Sequence, residues 1–293
     1  MKKAYIKYLT SLLLFGSNGL VASHIALTSY EIVLMRSMLG SLMLAAIFLI
    51  SGQKLTALQN KRDLLFIALS GFAMAGNWLF LFEAFAQIGV SMGMLINYCG
   101  PVIVVATSPL LFGERVTWQR LLALAAAMVG VFFVSGGAAV GGVNLWGLAC
   151  ALLSAVCYAA LVDLNKMSKQ VKGMENAMLQ LCFCFAAVAV FVLCKQGAHL
   201  EIARGDWPWI LWIGLLNTGI CCYLYFSSIG TLPVQTVAVC GYLEPVSALA
   251  LAAIFLGEKM LPLQILGAVL IIGGALFGEC AGKKSGGARS DAA

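Results

Sequence analysis

Apolar residues run along this chain in long stretches separated by short polar breaks. Ten such stretches lie near 6–27, 31–50, 64–86, 90–112, 117–136, 144–164, 174–194, 207–229, 233–256 and 260–280. Each is close to the roughly 20 residues a helix needs to cross a bilayer. The breaks carry turn residues: Ser51-Gly52-Gln53-Lys54, the glycine-rich 135–142, and Lys166 to Gly173. The first stretch is too long for the apolar run of a signal peptide, and no small-residue cleavage site follows it.

The second half repeats the first at a shift of 144 residues. Tyr98 falls on Tyr242, Pro101 on Pro245, Gly113-Glu114-Arg115 on Gly257-Glu258-Lys259, and Gly130 on Gly274. Further back, Glu31 falls on Glu175, Phe82 on Phe226, and the short Gln87-Ile88-Gly89 break on Thr231-Leu232-Pro233. Each copy holds five stretches, and an odd number of crossings turns the second copy upside down. Inverted repeats are a construction of secondary transporters, with substrate held near the midplane between the copies. The expected fold is an all-α integral membrane protein of ten transmembrane helices. It divides into a first repeat at 1–138, a second at 139–280, and a disordered cytoplasmic tail at 281–293.

Composition excludes a soluble protein: 62% of residues are hydrophobic and 10% charged, against about 25% charged in ordinary globular chains. Mean hydropathy is +0.97. Orientation follows from the basic residues. One side would carry Lys2, Lys3, Lys7, Lys54, Lys61, Arg62, Arg115, Arg120, Lys166, Lys169, Lys172, Lys283, Lys284 and Arg289; the other carries Lys195, Arg204 and Lys259. Both termini are therefore expected in the cytoplasm, in a bacterial plasma (inner) membrane. The net charge of +6 is explained by basic loops against anionic lipid heads, so no nucleic-acid partner is invoked. The ten cysteines make no CxxC pair and lie far from His24 and His199. They read as small packing residues, with neither a disulfide framework nor a metal site.

The runs Leu243-Glu244-Pro245-Val246 to Leu256-Gly257-Glu258, and Gly100-Pro101-Val102 to Phe112-Gly113-Glu114-Arg115, resemble the EamA repeats of the drug/metabolite transporter superfamily. The resemblance covers nearly the whole chain and implies the ten-helix members, which carry amino acids, other metabolites and organic cations. It implies transport of a small organic solute, with export favoured, and does not reach the substrate. Glu114 and Glu258 then read as family features capping the following helix, where a carboxylate is favourable.

Polar residues deep in apolar spans must be satisfied without water. Those near the midplane are Asn18, Asn77, Asn97, Asn217, Thr218 and Glu244. Glu244 must face a cavity, pair with a cation or be protonated. Pro245 and Pro101 each remove a backbone donor and free a carbonyl one turn back, which suits a binding site. Aromatic residues sit at the same depth. The expected substrate-lining set is Asn18, Asn77, Trp78, Tyr98, Asn217, Tyr242 and Glu244, with Glu244 also the candidate proton or cation site. Arg36, in the outer half of the second stretch, either pairs with Glu83 as a structural tie or outer gate, or snorkels to the surface. Their counterparts in the second copy, Gln180 and Ser227, are uncharged.

These readings converge on a secondary transporter of a small amino-acid-like or amine-like metabolite, working by alternating access. The alternative is a flippase for a lipid or lipid-linked metabolite, though only Arg36 is available for a phosphate. An enzyme is not expected, since the acids are scattered and both histidines isolated. No GxxxxGK[ST] run is present, and no cofactor is expected. Expected partners are a small-molecule substrate and membrane lipids. Ala123, Ala127 and Gly130 pack either a homodimer or a neighbouring helix.

Overall fold

The computed structural model describes residues 2–112, 144–171, 173–197, 199–229, 243–259 and 261–287, and also 118, 122, 125, 126, 129, 130 and 133. All regular structure among them is helical. The first stretch forms α1 (Lys2–Gly16) and α2 (Asn18–Ala22); then come α3 (Ser29–Ile50), α4 (Lys61–Ile88), α5 (Val90–Asn97) and α6 (Gly100–Phe112). The second half holds α7 (Leu145–Met167), α8 (Gly173–Gln196), α9 (Trp207–Leu211), a π-helical segment (Trp212–Ile220), α10 (Cys221–Ile229), α11 (Leu243–Phe255) and α12 (Pro262–Gly287). Five described segments are long and apolar enough to cross a membrane: Ser29–Ile50, Lys61–Ile88, Leu145–Met167, Gly173–Gln196 and Arg204–Tyr225. Large apolar side chains such as Leu42, Leu49, Leu65, Val156 and Val190 stand exposed on their outer faces, the arrangement lipid contact demands.

Side chains close the helix ends. Asn60 Oδ1 accepts from the Asp63 N–H (3.3 Å) and Asn144 Oδ1 from the Trp146 N–H (2.9 Å). Glu31 accepts from the Thr28 N–H (2.8 Å), the return half of a capping box. Gly89, at φ +84°, takes the sharp turn between α4 and α5 that a side chain would strain.

Among the described residues, three irregularities interrupt the long helices. One lies at Ser17, one at Tyr98 and Cys99, and the third is the wider π turn. Pro101 was expected to sit within a span and free a carbonyl one turn back. Instead the chain stops at Asn97 and restarts at Gly100, leaving Pro101 in a first turn, where its missing N–H is harmless. The last helix runs to Gly287, past position 281 where a disordered tail was expected. Gly130 faces α12, since a Cβ there would meet the Gly267 carbonyl at 2.7 Å. That contact is within one chain. Ala123, Ala127 and the 138/139 boundary lie outside the described residues.

Helix pairing follows the sequence repeat. α4 packs on α7, and 144 residues away α10 packs on α1. α4 packs on α8 as the π segment packs on α3, and α6 on α7 as α11 on α1. α3 and α8, equivalents of each other, are in mutual contact.

Carboxylates tie the halves together at both ends of the bundle. At one end Asp63 Oδ2 accepts from the N–H groups of Lys169 (3.0 Å), Gln170 (2.6 Å) and Val171 (3.3 Å). There too Glu175 accepts from the Ala57 N–H (2.7 Å) and the Thr56 hydroxyl (2.6 Å). At the other end Asp206 accepts from the Ala26 N–H (3.1 Å) and Glu31 from Gln196 (2.8 Å). Glu258 there accepts from the N–H groups of Val90 (2.8 Å) and Ser91 (2.9 Å). It was expected to cap the helix that follows it. It caps α5 of the other repeat, because that N-terminus lies beside it in space. Glu114 lies outside the described residues.

Candidate functional site

Glu244 lies in the first turn of α11 as described. The Tyr98 hydroxyl, presented by the break between α5 and α6, donates a hydrogen bond to its carboxyl group. α1 runs against the same turn with Gly16 at the contact. A Cβ on Gly16 would overlap Ser247 Oγ and stand 2.9 Å from the Glu244 carbonyl oxygen. Ser247 can rotate away; the carbonyl cannot. Gly16→Ala is therefore expected to lower stability by about 1–3 kcal/mol, read as a lower melting temperature in detergent. Adding Ser247→Ala should restore only part of the loss, and an unchanged melting temperature in the single variant would refute this packing.

Arg36 is 1% exposed, so it does not snorkel. Its guanidinium lies over the Trp78 ring at 4.1 Å and near the Phe82 ring at 5.0 Å. Nε donates to Thr218 Oγ1 at 3.2 Å, and Nη2 is buried without a partner among the described residues. Thr218 in turn donates to the Ile213 carbonyl five residues back (2.8 Å), a bond the π turn makes possible. Burying a cation costs several kcal/mol, whereas a desolvated cation–π contact returns about 2 kcal/mol. Glu244 lies within electrostatic range of the guanidinium.

The expected Arg36–Glu83 pair does not form. Glu83 accepts instead from Ser29, Gln87 (3.0 Å) and Trp146 Nε1 (3.3 Å). Depth along the membrane placed both residues in the outer half, but Arg36 points inward toward the π segment.

Two amide clusters flank this centre. Asn77 Nδ2 reaches Asn97 Oδ1, the Ser154 carbonyl and Ser154 Oγ, each at 3.0 Å. Ser154 Oγ closes the triangle on Asn97 at 2.7 Å. Asn217 Nδ2 donates to the Leu14 carbonyl (3.0 Å), Ser17 Oγ (2.9 Å) and Asn18 Oδ1 (3.2 Å). It thereby satisfies groups at the break in the first stretch. The amides of Asn77 and Asn217 thus spend their donors on the fold. Trp78 lies under Arg36, and Tyr242 lies outside the described residues. Ser17, Ser154 and Ser247 escaped the sequence reading because a serine in a helix reads as a small packing residue; only their helix-break and amide neighbours single them out. No metal-binding group of His, Cys, Asp or Glu occurs among the described residues.

Residues 2–136 and 145–277 each match the EamA-like transporter family. The chain is 28% identical to the uncharacterised transporter YxxF of Bacillus subtilis, over 92% of this chain and 88% of that one. It is 26% identical to the threonine/homoserine exporter RhtA of Escherichia coli K12, covering 83% and 79%. A probable terminal-alkyne amino-acid exporter of Streptantibioticus cattleyicolor is 28% identical, covering 74% and 73%. A crystal structure 21% identical in sequence shares the fold with a TM-score of 0.67, covering 94% of this chain and 96% of its own.

Proposed function

The chain belongs to the EamA-like transporter family and is a multi-pass membrane transporter rather than an enzyme; on that premise we propose that it exports a small amino-acid-like metabolite by alternating access. The observation that carries the reading is Glu244 of the second repeat, hydrogen-bonded to Tyr98 at the helix break between α5 and α6 of the first. A carboxyl group at such a junction suits an ammonium group or a transported proton. The naming of two relatives as amino-acid exporters supports both direction and substrate class. The 144-residue periodicity of helix pairing supports ten spans in two inverted repeats, in a bacterial inner membrane. Both termini are then cytoplasmic.

Proteoliposomes loaded with labelled L-threonine, L-phenylalanine or phenethylamine test the substrate class. Protein-dependent release of an amino acid supports it, and release of none of the three refutes it. Cysteine accessibility tests the topology: a cysteine at Lys169 should react only from the cytoplasmic side. Labelling from outside would overturn the inverted arrangement.

A further inference from the structure

We propose that Arg36 is the carboxylate-binding group of the central site, so that the carried molecule is an α-amino acid and not a simple amine. The inference rests on the reading of this chain as a metabolite transporter with its site beside Glu244, and it specifies the second half of that site.

A guanidinium offers five N–H donors in a planar fork that matches a carboxylate. In Arg36 the Nε donor is used on Thr218, while Nη2 is buried and has no partner among the described residues. The contacts with Trp78 and Phe82 hold the cation yet consume no N–H. Buried polar groups in native proteins are nearly always bonded, so an unspent donor on a 1%-exposed arginine marks a place for an acceptor.

The acceptor is not supplied by Glu244. That carboxyl group is near enough to feel the arginine's charge but takes its hydrogen bond from Tyr98. Arg36 of the first repeat and Glu244 of the second thus each keep a neutral hydrogen-bond partner, Thr218 and Tyr98. A ligand carrying both a carboxylate and an ammonium group completes both. An amine alone would satisfy Glu244 and add a second cation beside Arg36, which electrostatic complementarity disfavours.

The repeat shows that the architecture does not itself require the charge. The equivalent of Arg36 is Gln180, which ties α8 to α4 through Ser70 Oγ at 3.0 Å. Arg36 ties α3 to the π segment through Thr218 in the same manner. A neutral side chain is enough for the tie, so the guanidinium charge at position 36 has another use.

The test is equilibrium binding to the full chain in nanodiscs. The probes are L-threonine and L-phenylalanine, their amines 1-aminopropan-2-ol and phenethylamine, and their deaminated acids 3-hydroxybutyrate and 3-phenylpropionate. Wild type should prefer each amino acid over its amine. Arg36→Gln should weaken amino-acid binding by about 100-fold and strengthen amine binding by removing the like charge, with Arg36→Lys intermediate for the amino acids. If Arg36→Gln melts earlier yet keeps the amino-acid preference, Arg36 is only a structural tie and the inference is overturned. If Arg36→Gln does not fold, the wild-type preference and the Arg36→Lys profile decide. Amine binding as tight as amino-acid binding in wild type overturns this inference while leaving the transporter site intact. Binding of none of the six overturns both.

Discussion

Glu244→Gln is expected to yield a folded protein that loses gradient-driven transport by about 100-fold or more. The size follows from removing one partner of a buried charge contact with the carried cation, about 2–5 kcal/mol of binding. Glutamine matches glutamate in shape and still accepts from the Tyr98 hydroxyl, so the fold is retained. Only the charge and the proton are lost. Tyr98→Phe is the control, because it removes the hydrogen bond and keeps the carboxyl group. Flux in proteoliposomes under an imposed pH gradient, compared with exchange of substrate across equal pH, separates two roles. A carboxyl group that carries only the coupling proton leaves exchange intact in the glutamine variant. One that also holds the ammonium group takes exchange down with net flux. Net flux at the native rate in Glu244→Gln would remove Glu244 from the mechanism.

Asn217→Ala is expected to be the most destabilising of the polar truncations, by about 2 kcal/mol. Orphaned buried groups cost about 1–3 kcal/mol each in water-soluble proteins. Hydrogen bonds between helices in bilayers average nearer 0.6 kcal/mol, because the unfolded helices also find partners. Asn217 is 0% exposed and serves three acceptors at once, so the sum exceeds one bilayer bond but stays below the aqueous total. Asn217→Asp should be worse than alanine at neutral pH, since it sets a negative acceptor against the Leu14 carbonyl and Asn18 Oδ1. Thermal unfolding in detergent of both variants, with Ser17→Ala in a double-mutant cycle, measures the effect. A native melting temperature in Asn217→Ala would show that the break at Ser17 is held by something else.

The repeat was legible because it is written in the order of residue types, and order survives without geometry. Glu31 and Glu175, or Pro101 and Pro245, can be aligned by eye. The depth expected of Asn77, Asn217 and Glu244 rests on the fixed rise per residue of a helix. What depth does not contain is azimuth. Arg36 and Glu83 share a depth but face different neighbours, so their pairing could not be read. Helix breaks divide the same way. The one near Pro101 announces itself chemically. The break at Ser17 and the π turn through Trp212–Ile220 arise from tertiary demand, in which Asn217 and Thr218 find partners that a regular helix would not give them. Glu258 was legible as a cap, but its helix was not, because the N-terminus it serves is 168 positions away in sequence.

The carboxylate ties at the two ends of the bundle have an energetic corollary. Asp63 and Glu175 hold one end through the same kinds of bond that Asp206 and Glu31 use at the other, on positions the repeat makes equivalent or nearly so. Releasing either end therefore breaks comparable bonds and exposes comparable backbone. On the alternating-access reading, comparable ties would set the two states near balance, where a ligand with modest preference for one state moves most of the population. Whatever tilts the balance must come from groups the duplication did not copy. Arg36 against Gln180, Glu83 against Ser227 and Glu244 against Gly100 are among those groups, so a preference for one direction would be written in the differences between the halves and not in their likeness.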